Sequence, residues 1–108
     1  MKKVDILQGT LDMLVLQTLS RSTMHGYEVS RWIRETTHEA LLVEEGSLYP
    51  ALHRMEKRGW IQSEWGTSEN NRKAKYYSLT EEGRRQLQIE SSGWERLTEA
   101  ISKIMQTA

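Results

Sequence analysis

Cationic and hydroxyl side chains are concentrated between residues 47 and 80, where they could bind phosphates and the edges of bases. Residues 47–80 carry six basic and three acidic side chains, whereas residues 1–46 carry five and seven and residues 81–108 carry four and five. The only local excess of positive charge therefore lies in this segment, although the formal net charge of the chain is zero. A protein without net charge can still present a basic face to a polyanion.

The first group of these side chains lies on a helix that we predict from Ser47 to Gly59. Ser47 is a favourable N-cap, Pro50 falls in the predicted first turn, and Gly59 suits the left-handed position that ends a helix. The spacing i, i+4, i+7 predicts a buried stripe of Leu48, Leu52 and Met55. Outside that stripe lie Tyr49, His53, Arg54 and Lys57.

The second group lies in a predicted β-hairpin. Residues 61–65 alternate as in a half-buried strand, residues 66–71 are rich in turn formers, and Lys73 to Leu79 is the expected return strand. A helix that can enter a major groove, followed by a basic hairpin that contacts the backbone, is typical of a winged-helix DNA-binding domain. The candidate DNA-binding residues are Ser47, Tyr49, His53, Arg54, Lys57, Arg72, Lys73 and Lys75.

Plainer interpretations of these residues stay open. A charge cluster is often only a solvated face, Tyr49 could be a half-buried packing aromatic instead of a phosphate donor, and His53 could be exposed polar surface without a base contact.

Further helices should support this segment. We expect a first helix capped by Thr10 with Asp12 in its first turn, and a second that opens at His25-Gly26-Tyr27 and ends near Glu35. Leu41 to Val43 is predicted as a short strand. The predicted fold class is mostly α with a small β-hairpin: a winged helix-turn-helix domain over residues 1–80 and a long C-terminal helix over residues 81–108.

The last helix, capped by Thr80 and about 26 residues long, carries two apolar rows at alternating steps of three and four. Such rows form the seam between two helices and predict a dimer interface. Its residues are Leu87, Trp94, Leu97, Ile101 and Ile104. Trp94 has two interpretations: it fills space in the seam beside Gly93, or it offers a flat surface on which a planar ligand stacks.

Other classes of function lack their residue patterns. There is no cysteine, no histidine pair with metal-ligand spacing, no nucleophile elbow and no phosphate-cradling glycine loop, so the chain is predicted to be neither an enzyme nor a metal or cofactor protein. No stretch has the length of apolar residues that a membrane span requires, and the start lacks a cleavage site. We therefore expect a cytoplasmic protein.

Nearly the whole chain resembles the PadR family of winged-helix transcriptional regulators, in its short branch without a separate effector domain. The most specific blocks are Leu-Tyr-Pro-Ala-Leu and Lys-Tyr-Tyr-x-Leu-Thr-x-x-Gly at their present separation. The matching stretches are residues 7–12, 25–27, 45–54, 59–61, 70–77 and 79–84.

The resemblance implies a homodimer joined through the C-terminal helix, and a repressor that binds double-stranded DNA at a palindromic operator. It also implies that Tyr49, Arg72 and Lys73 contact DNA. In some members an aromatic at the place of Trp94 lines a pore for a small aromatic effector.

Two other hypotheses are a winged-helix protein-interaction module without specific DNA recognition, and a DNA-binding protein without small-molecule input.

Overall fold

Four helices and a three-stranded antiparallel sheet make up the computed structural model, which describes residues 8–107. The elements in chain order are α1 (Gln8–Arg21), β1 (Met24–His25), α2 (Gly26–Thr36), α3 (Glu45–Lys57), β2 (Ile61–Thr67), β3 (Lys73–Leu79) and α4 (Glu81–Gln106). The predicted combination of helices, hairpin and a 26-residue last helix is confirmed.

The core lies where α1, α2 and α3 meet the sheet. Leu48, Leu52 and Met55 are fully buried, which confirms the predicted stripe of the third helix, and Val29 and Ile33 bury the inner side of α2. The other buried apolar residues are Leu11, Val15, Leu16, Leu19, Ala51, Ile61 and Tyr77. Because α1 contributes four of these residues, it lies at the centre of the core.

The ends of several elements follow the predicted capping chemistry. His25 caps α2 in a reciprocal arrangement with Glu28, and the Thr80 hydroxyl accepts a hydrogen bond from the Gly83 amide at the start of α4. Gly59 has a φ of +79°. Its amide donates to the Glu56 carbonyl while the Trp60 amide donates to the Met55 carbonyl, which is the Schellman arrangement.

The predicted starts of α1 and α3 are wrong. α1 is already helical at Gln8, so Thr10 lies inside it. The amides of Ser47 and Leu48 both donate to the Glu44 carbonyl, so α3 begins at Glu45 and Ser47 lies in its first turn. Glu44 therefore occupies the cap position without a side-chain cap bond, and Pro50 lies inside the helix.

The predicted strand at residues 41–43 is also wrong. These residues form no strand; Leu41 and Val43 instead pack, half-buried, against the core. The third strand is β1, where Met24 and His25 pair with Tyr77 and Tyr76 of β3. The sheet order is β1-β3-β2. Over the part of the chain that is described, none of the helices has the length and apolarity needed to cross a membrane.

Candidate nucleic-acid interface

The outer side of α3 presents polar side chains beside the apolar stripe that anchors the helix. Ser47, His53 and Lys57 are exposed, and Tyr49 is 43% exposed. These residues can therefore reach a ligand without any change in the core. Their positions match the outer face that the sequence predicted for them.

Arg54 departs from that prediction. Its guanidinium lies 2.5 Å from the Asp12 carboxylate of α1, and the Asp12 side chain is only 9% exposed. A buried carboxylate needs a cationic partner. Arg54 therefore joins α3 to α1, while its side chain stays 27% exposed, so its contact with DNA stays a prediction.

Tyr49 lies over the start of α2. A Cβ placed on Gly26 would come within 2.8 Å of the Tyr49 ring and 2.9 Å of its hydroxyl, so glycine at this position leaves room for the tyrosine. Burial, and secondly the charge of Glu45, raise the pKa of Tyr49. A tyrosine hydroxyl is protonated at neutral pH, so it can donate a hydrogen bond to a phosphate.

The turn of the hairpin holds two cations outward. The Ser68 amide donates to the Arg72 carbonyl at 2.8 Å and the Asn71 amide donates to the Ser68 carbonyl at 2.9 Å. Asn71 adopts a φ of 58°, a left-handed conformation that asparagine tolerates. Arg72 and Lys73 follow this turn with exposed side chains, as predicted from the turn-rich sequence.

Trp65 is a candidate contact that the sequence did not single out. Its side chain is 62% exposed, although Trp65 belongs to the alternating segment that predicted a half-buried strand. The Lys73 ammonium lies 5.5 Å from the centre of its ring, within the range of a cation–π contact. The contact between Trp65 and Lys73 could not be predicted from sequence spacing, because it depends on how the two strands pair.

A groove of about 500 Å³ lies between the start of α2, Tyr49 and the hairpin. Residues of α2, α3, both hairpin strands and the turn between them line it. The aromatic and cationic ones include Tyr27, Arg31, Tyr49, Trp65, Arg72 and Lys73, and they outnumber the two acidic ones, Glu28 and Glu69. Tyr27 and Arg31 were not predicted as site residues, because only the fold brings α2 beside the hairpin. A groove with this lining suits a sugar–phosphate backbone.

Lys75 is the second predicted DNA-binding residue that has a partner within the protein. Its ammonium lies 3.3 Å from a carboxylate oxygen of Glu56 on α3. The Ser63 hydroxyl donates to the other oxygen. The hydrogen bond from Ser63 lowers the pKa of Glu56, with a smaller contribution from Lys75.

The predicted seam of α4 is mostly uncovered. Trp94, Leu97, Ile101 and Ile104 are exposed, with Ile104 at 71%. Leu87 differs, because it packs half-buried against the core of its own subunit. The exposed part of the two apolar rows thus begins at Trp94.

Comparisons with known proteins agree with this architecture. A protein of uncharacterised function from Lysinibacillus sphaericus is 30% identical over 106 residues, covering 98% of this chain and 97% of the relative. A transcriptional regulator from Clostridium thermocellum is 34% identical with a TM-score of 0.81, covering 89% of this chain and 93% of that chain. For a PadR-like transcriptional regulator from Bacillus cereus the identity is 30% and the TM-score 0.81, with coverage of 94% and 97%.

A family model matches most of the chain as well. It describes the transcriptional regulator PadR-like family and covers residues 15–89, from the middle of α1 into α4. The predicted winged-helix fold and the prediction that the chain is not an enzyme are thereby confirmed. The chain belongs to the PadR-like family of transcriptional regulators, which act by binding DNA.

Proposed function

We propose that the protein is a homodimeric, cytoplasmic repressor that binds a palindromic operator through α3 and the β2–β3 hairpin of each subunit. The observation that carries this proposal is the groove in which Tyr49 lies beside the exposed cations Arg72 and Lys73. α3 supplies the element that enters the major groove of DNA, with Ser47, His53 and Lys57 on its exposed side. The hairpin supplies the contacts to phosphate.

Pairing of two subunits is supported by the uncovered rows of α4. Four large apolar side chains between residues 94 and 104 are exposed along one seam of a single helix, and an apolar patch of this kind is typical of a surface that binds a partner. A second copy of the same helix matches a heptad seam of equal spacing. In such a dimer, we expect two-fold symmetry to bring the two α3 helices into successive major grooves, roughly 34 Å apart on an inverted repeat.

The test uses Arg72→Ala/Lys73→Ala and a control of equal charge, Arg96→Ala/Lys103→Ala, on the C-terminal half of α4. Binding to duplexes of any sequence is measured by fluorescence anisotropy over a range of salt concentrations. The hairpin variant should bind more weakly. Its salt slope, which is the slope of log affinity against log salt concentration, should flatten by about 0.9 for each phosphate contact removed. The control variant should bind like wild type. Unchanged affinity and slope in the hairpin variant would remove the hairpin from the interface.

A ligand that relieves repression is a second candidate function, favoured by the position of Trp94 in the exposed seam. Trp94 is 45% exposed, and the neighbouring Gly93 leaves open space where a side chain would stand. A planar aromatic molecule could stack there in a dimer. Planar drugs and phenolic acids should quench tryptophan fluorescence in wild type but not in Trp94→Ala. A full set of such compounds that leaves fluorescence and DNA affinity unchanged contradicts this function.

A protein-interaction module remains the competing hypothesis, since a basic face also suits an acidic protein. Preference for one inverted repeat over a scrambled duplex of equal length separates the two. Equal affinity for both duplexes would favour the interaction module.

A further inference from the structure

One carboxylate ties α3 to both strands of the hairpin. Glu56 lies in the last turn of α3; one oxygen accepts a hydrogen bond from the Ser63 hydroxyl of β2 at 2.5 Å. The other accepts from the Lys75 ammonium of β3 at 3.3 Å. Because Tyr77 pairs with Ser63 and Lys75 with Trp65, the Ser63 and Lys75 side chains are diagonal neighbours on one face of the sheet. Glu56 is thus held at two points of the same face.

We propose that Glu56 is a positioning residue that holds the hairpin at a set angle to α3 and withholds the charge of Lys75 from DNA. The proposal rests on the proposed function, since it concerns how the two DNA-contacting elements are held. It assigns Lys75 to the support of the interface, whereas Arg72 and Lys73 at the turn supply the phosphate contacts.

Lys75 lines the groove, and its pairing with Glu56 brings a negative charge close to the proposed DNA-binding surface. An unpaired carboxylate here would repel phosphates, and the pair with Lys75 cancels that repulsion at the cost of one available cation. The Glu56 and Lys75 side chains are 30% and 37% exposed, so both are restrained by the neighbouring elements. Lys75 also lies 5.9 Å above the Tyr77 ring, which further keeps its ammonium close to the sheet.

Loss of the carboxylate would have two effects that different substitutions separate. Glu56→Gln keeps an oxygen that can accept from Ser63 but removes the charge that pairs with Lys75. Glu56→Ala removes both contacts. A freed Lys75 adds a phosphate contact that any duplex can satisfy, whereas a hairpin no longer held by Ser63 also loses its set angle to α3. The freed Lys75 strengthens sequence-independent binding, whereas the loss of the set angle weakens discrimination between sequences.

The experiment measures the salt slope of binding to a random-sequence duplex for four proteins: wild type, Lys75→Met, Glu56→Gln and Glu56→Gln/Lys75→Met. Lys75→Met should leave the wild-type slope unchanged. Glu56→Gln should steepen the slope by about 0.9 per subunit, and adding Lys75→Met should restore it. For a dimer the steeper slope corresponds to an about tenfold greater loss of affinity between 50 and 200 mM salt.

Glu64→Gln is the matched control, because Glu64 is an exposed carboxylate on β2. If removal of any carboxylate accounts for the effect, Glu64→Gln will steepen the slope as Glu56→Gln does, and Lys75→Met will not reverse it. That result overturns the proposal. So does an equal loss of slope when Lys75→Met is introduced into wild type and into Glu56→Gln, because Lys75 would then contact DNA in both. Failure of wild type to bind any duplex contradicts the proposed function and overturns both.

Glu56→Ala provides the positioning readout. It should lower the ratio of affinities for a selected inverted repeat over a random duplex, while Glu56→Gln changes that ratio less. Thermal unfolding of both variants identifies any general loss of structure. An unchanged ratio in a folded Glu56→Ala protein would overturn the positioning role.

Discussion

Arg54 and Lys57 lie three residues apart on α3 and carry the same charge, but their surroundings assign them different roles. Arg54 pairs with the nearly buried Asp12, whereas Lys57 is exposed. Arg54→Ala should therefore lower the free energy of unfolding by about 3 kcal/mol, because it leaves a buried charge without a partner. Lys57→Ala should leave stability within about 0.5 kcal/mol of wild type and weaken DNA binding instead. Urea unfolding and anisotropy titration of both variants check this, and equal stability of the two would contradict it.

Glu90 on α4 predicts a pH-dependent effect on stability. Among residues 8–107 its buried Oε2 atom has no hydrogen-bond partner. Burial raises the pKa of the carboxyl group, and this outweighs a hydrogen bond with Gln86 that lowers it. When folding raises the pKa of an acid, the folded protein is more stable with that acid protonated. The ionised Glu90 therefore destabilises the protein: the effect is absent below the ordinary carboxyl pKa and grows as pH rises through the raised pKa.

Glu90→Gln should accordingly raise the free energy of unfolding at pH 7 by about 1 kcal/mol, with the gain fading on the acid side of the ordinary carboxyl pKa. The exposed Glu95→Gln should show no such gain. Denaturant unfolding at pH 7 and at a pH below the ordinary carboxyl pKa provides the measurement. A Glu90→Gln protein less stable than wild type at pH 7 would show that Gln86 and Arg58 stabilise the carboxylate by more than burial destabilises it.

At the residue scale, the sequence predicted exposed site residues well where local spacing decides their direction. Tyr49, His53 and Lys57 follow from the helical stripe, and Arg72 and Lys73 follow from the turn. Arg54 and Lys75 could not be assigned in this way, because their partners lie 42 and 19 residues away. Which cation a carboxylate binds depends on the tertiary fold.

At the scale of elements, the junction between the hairpin and α4 depends on a close backbone approach. The Thr80 hydroxyl lies 2.6 Å from the Gly59 carbonyl oxygen and 2.9 Å from that of Trp60, and its one proton is shared between them. A Cβ on Gly83 would lie 2.0 Å from the Trp60 carbonyl oxygen. Because this oxygen belongs to the backbone, it cannot move aside as the end of a flexible side chain could. Only glycine fits where α4 begins.

Gly83→Ala should therefore lower the free energy of unfolding by about 3 kcal/mol. Gly93→Ala is the contrasting substitution in the same helix, because no atom lies within 4 Å of its added Cβ. It should raise stability by about 1 kcal/mol through helix propensity. Thermal unfolding of the two variants tests the junction, and a Gly83→Ala protein as stable as wild type would show that α4 docks differently.

Element boundaries were predictable where side chains or left-handed backbone mark them. His25, Thr80 and Gly59 do so, and β3 has the predicted bounds. The start of α3 was not predictable, because Ser47 and Pro50 together resemble the first turn of a helix that in fact begins at Glu45. The apolar run at residues 41–43 resembles a strand, but Leu41 and Val43 pack on the core without joining the sheet.

At the scale of the whole molecule, the two halves of α4 have different surroundings. The first half carries Leu87, which packs on the core, whereas the second half exposes Trp94, Leu97, Ile101 and Ile104. A helix of 26 residues spans about 39 Å, which carries its second half beyond the domain that it supports. Burial of that half requires another molecule.

Ile101→Glu should separate the proposed dimer without unfolding the subunit, since the side chain is 48% exposed in the single chain. Sedimentation should show a monomer, with circular dichroism close to that of wild type and operator affinity lowered at least tenfold. Gln88→Glu adds the same charge at an exposed position outside the two rows and should remain dimeric. A dimer in both variants would place the interface elsewhere.

Selection of duplexes from a random-sequence library by the purified wild-type protein tests the central claim most directly, because it requires both the α3–hairpin interface and its two-fold repetition. The enriched duplexes should share an inverted repeat whose half-sites lie roughly 10 base pairs apart, centre to centre. Recovery of duplexes without a shared sequence, or with a single half-site only, would contradict a paired, sequence-specific DNA-binding regulator.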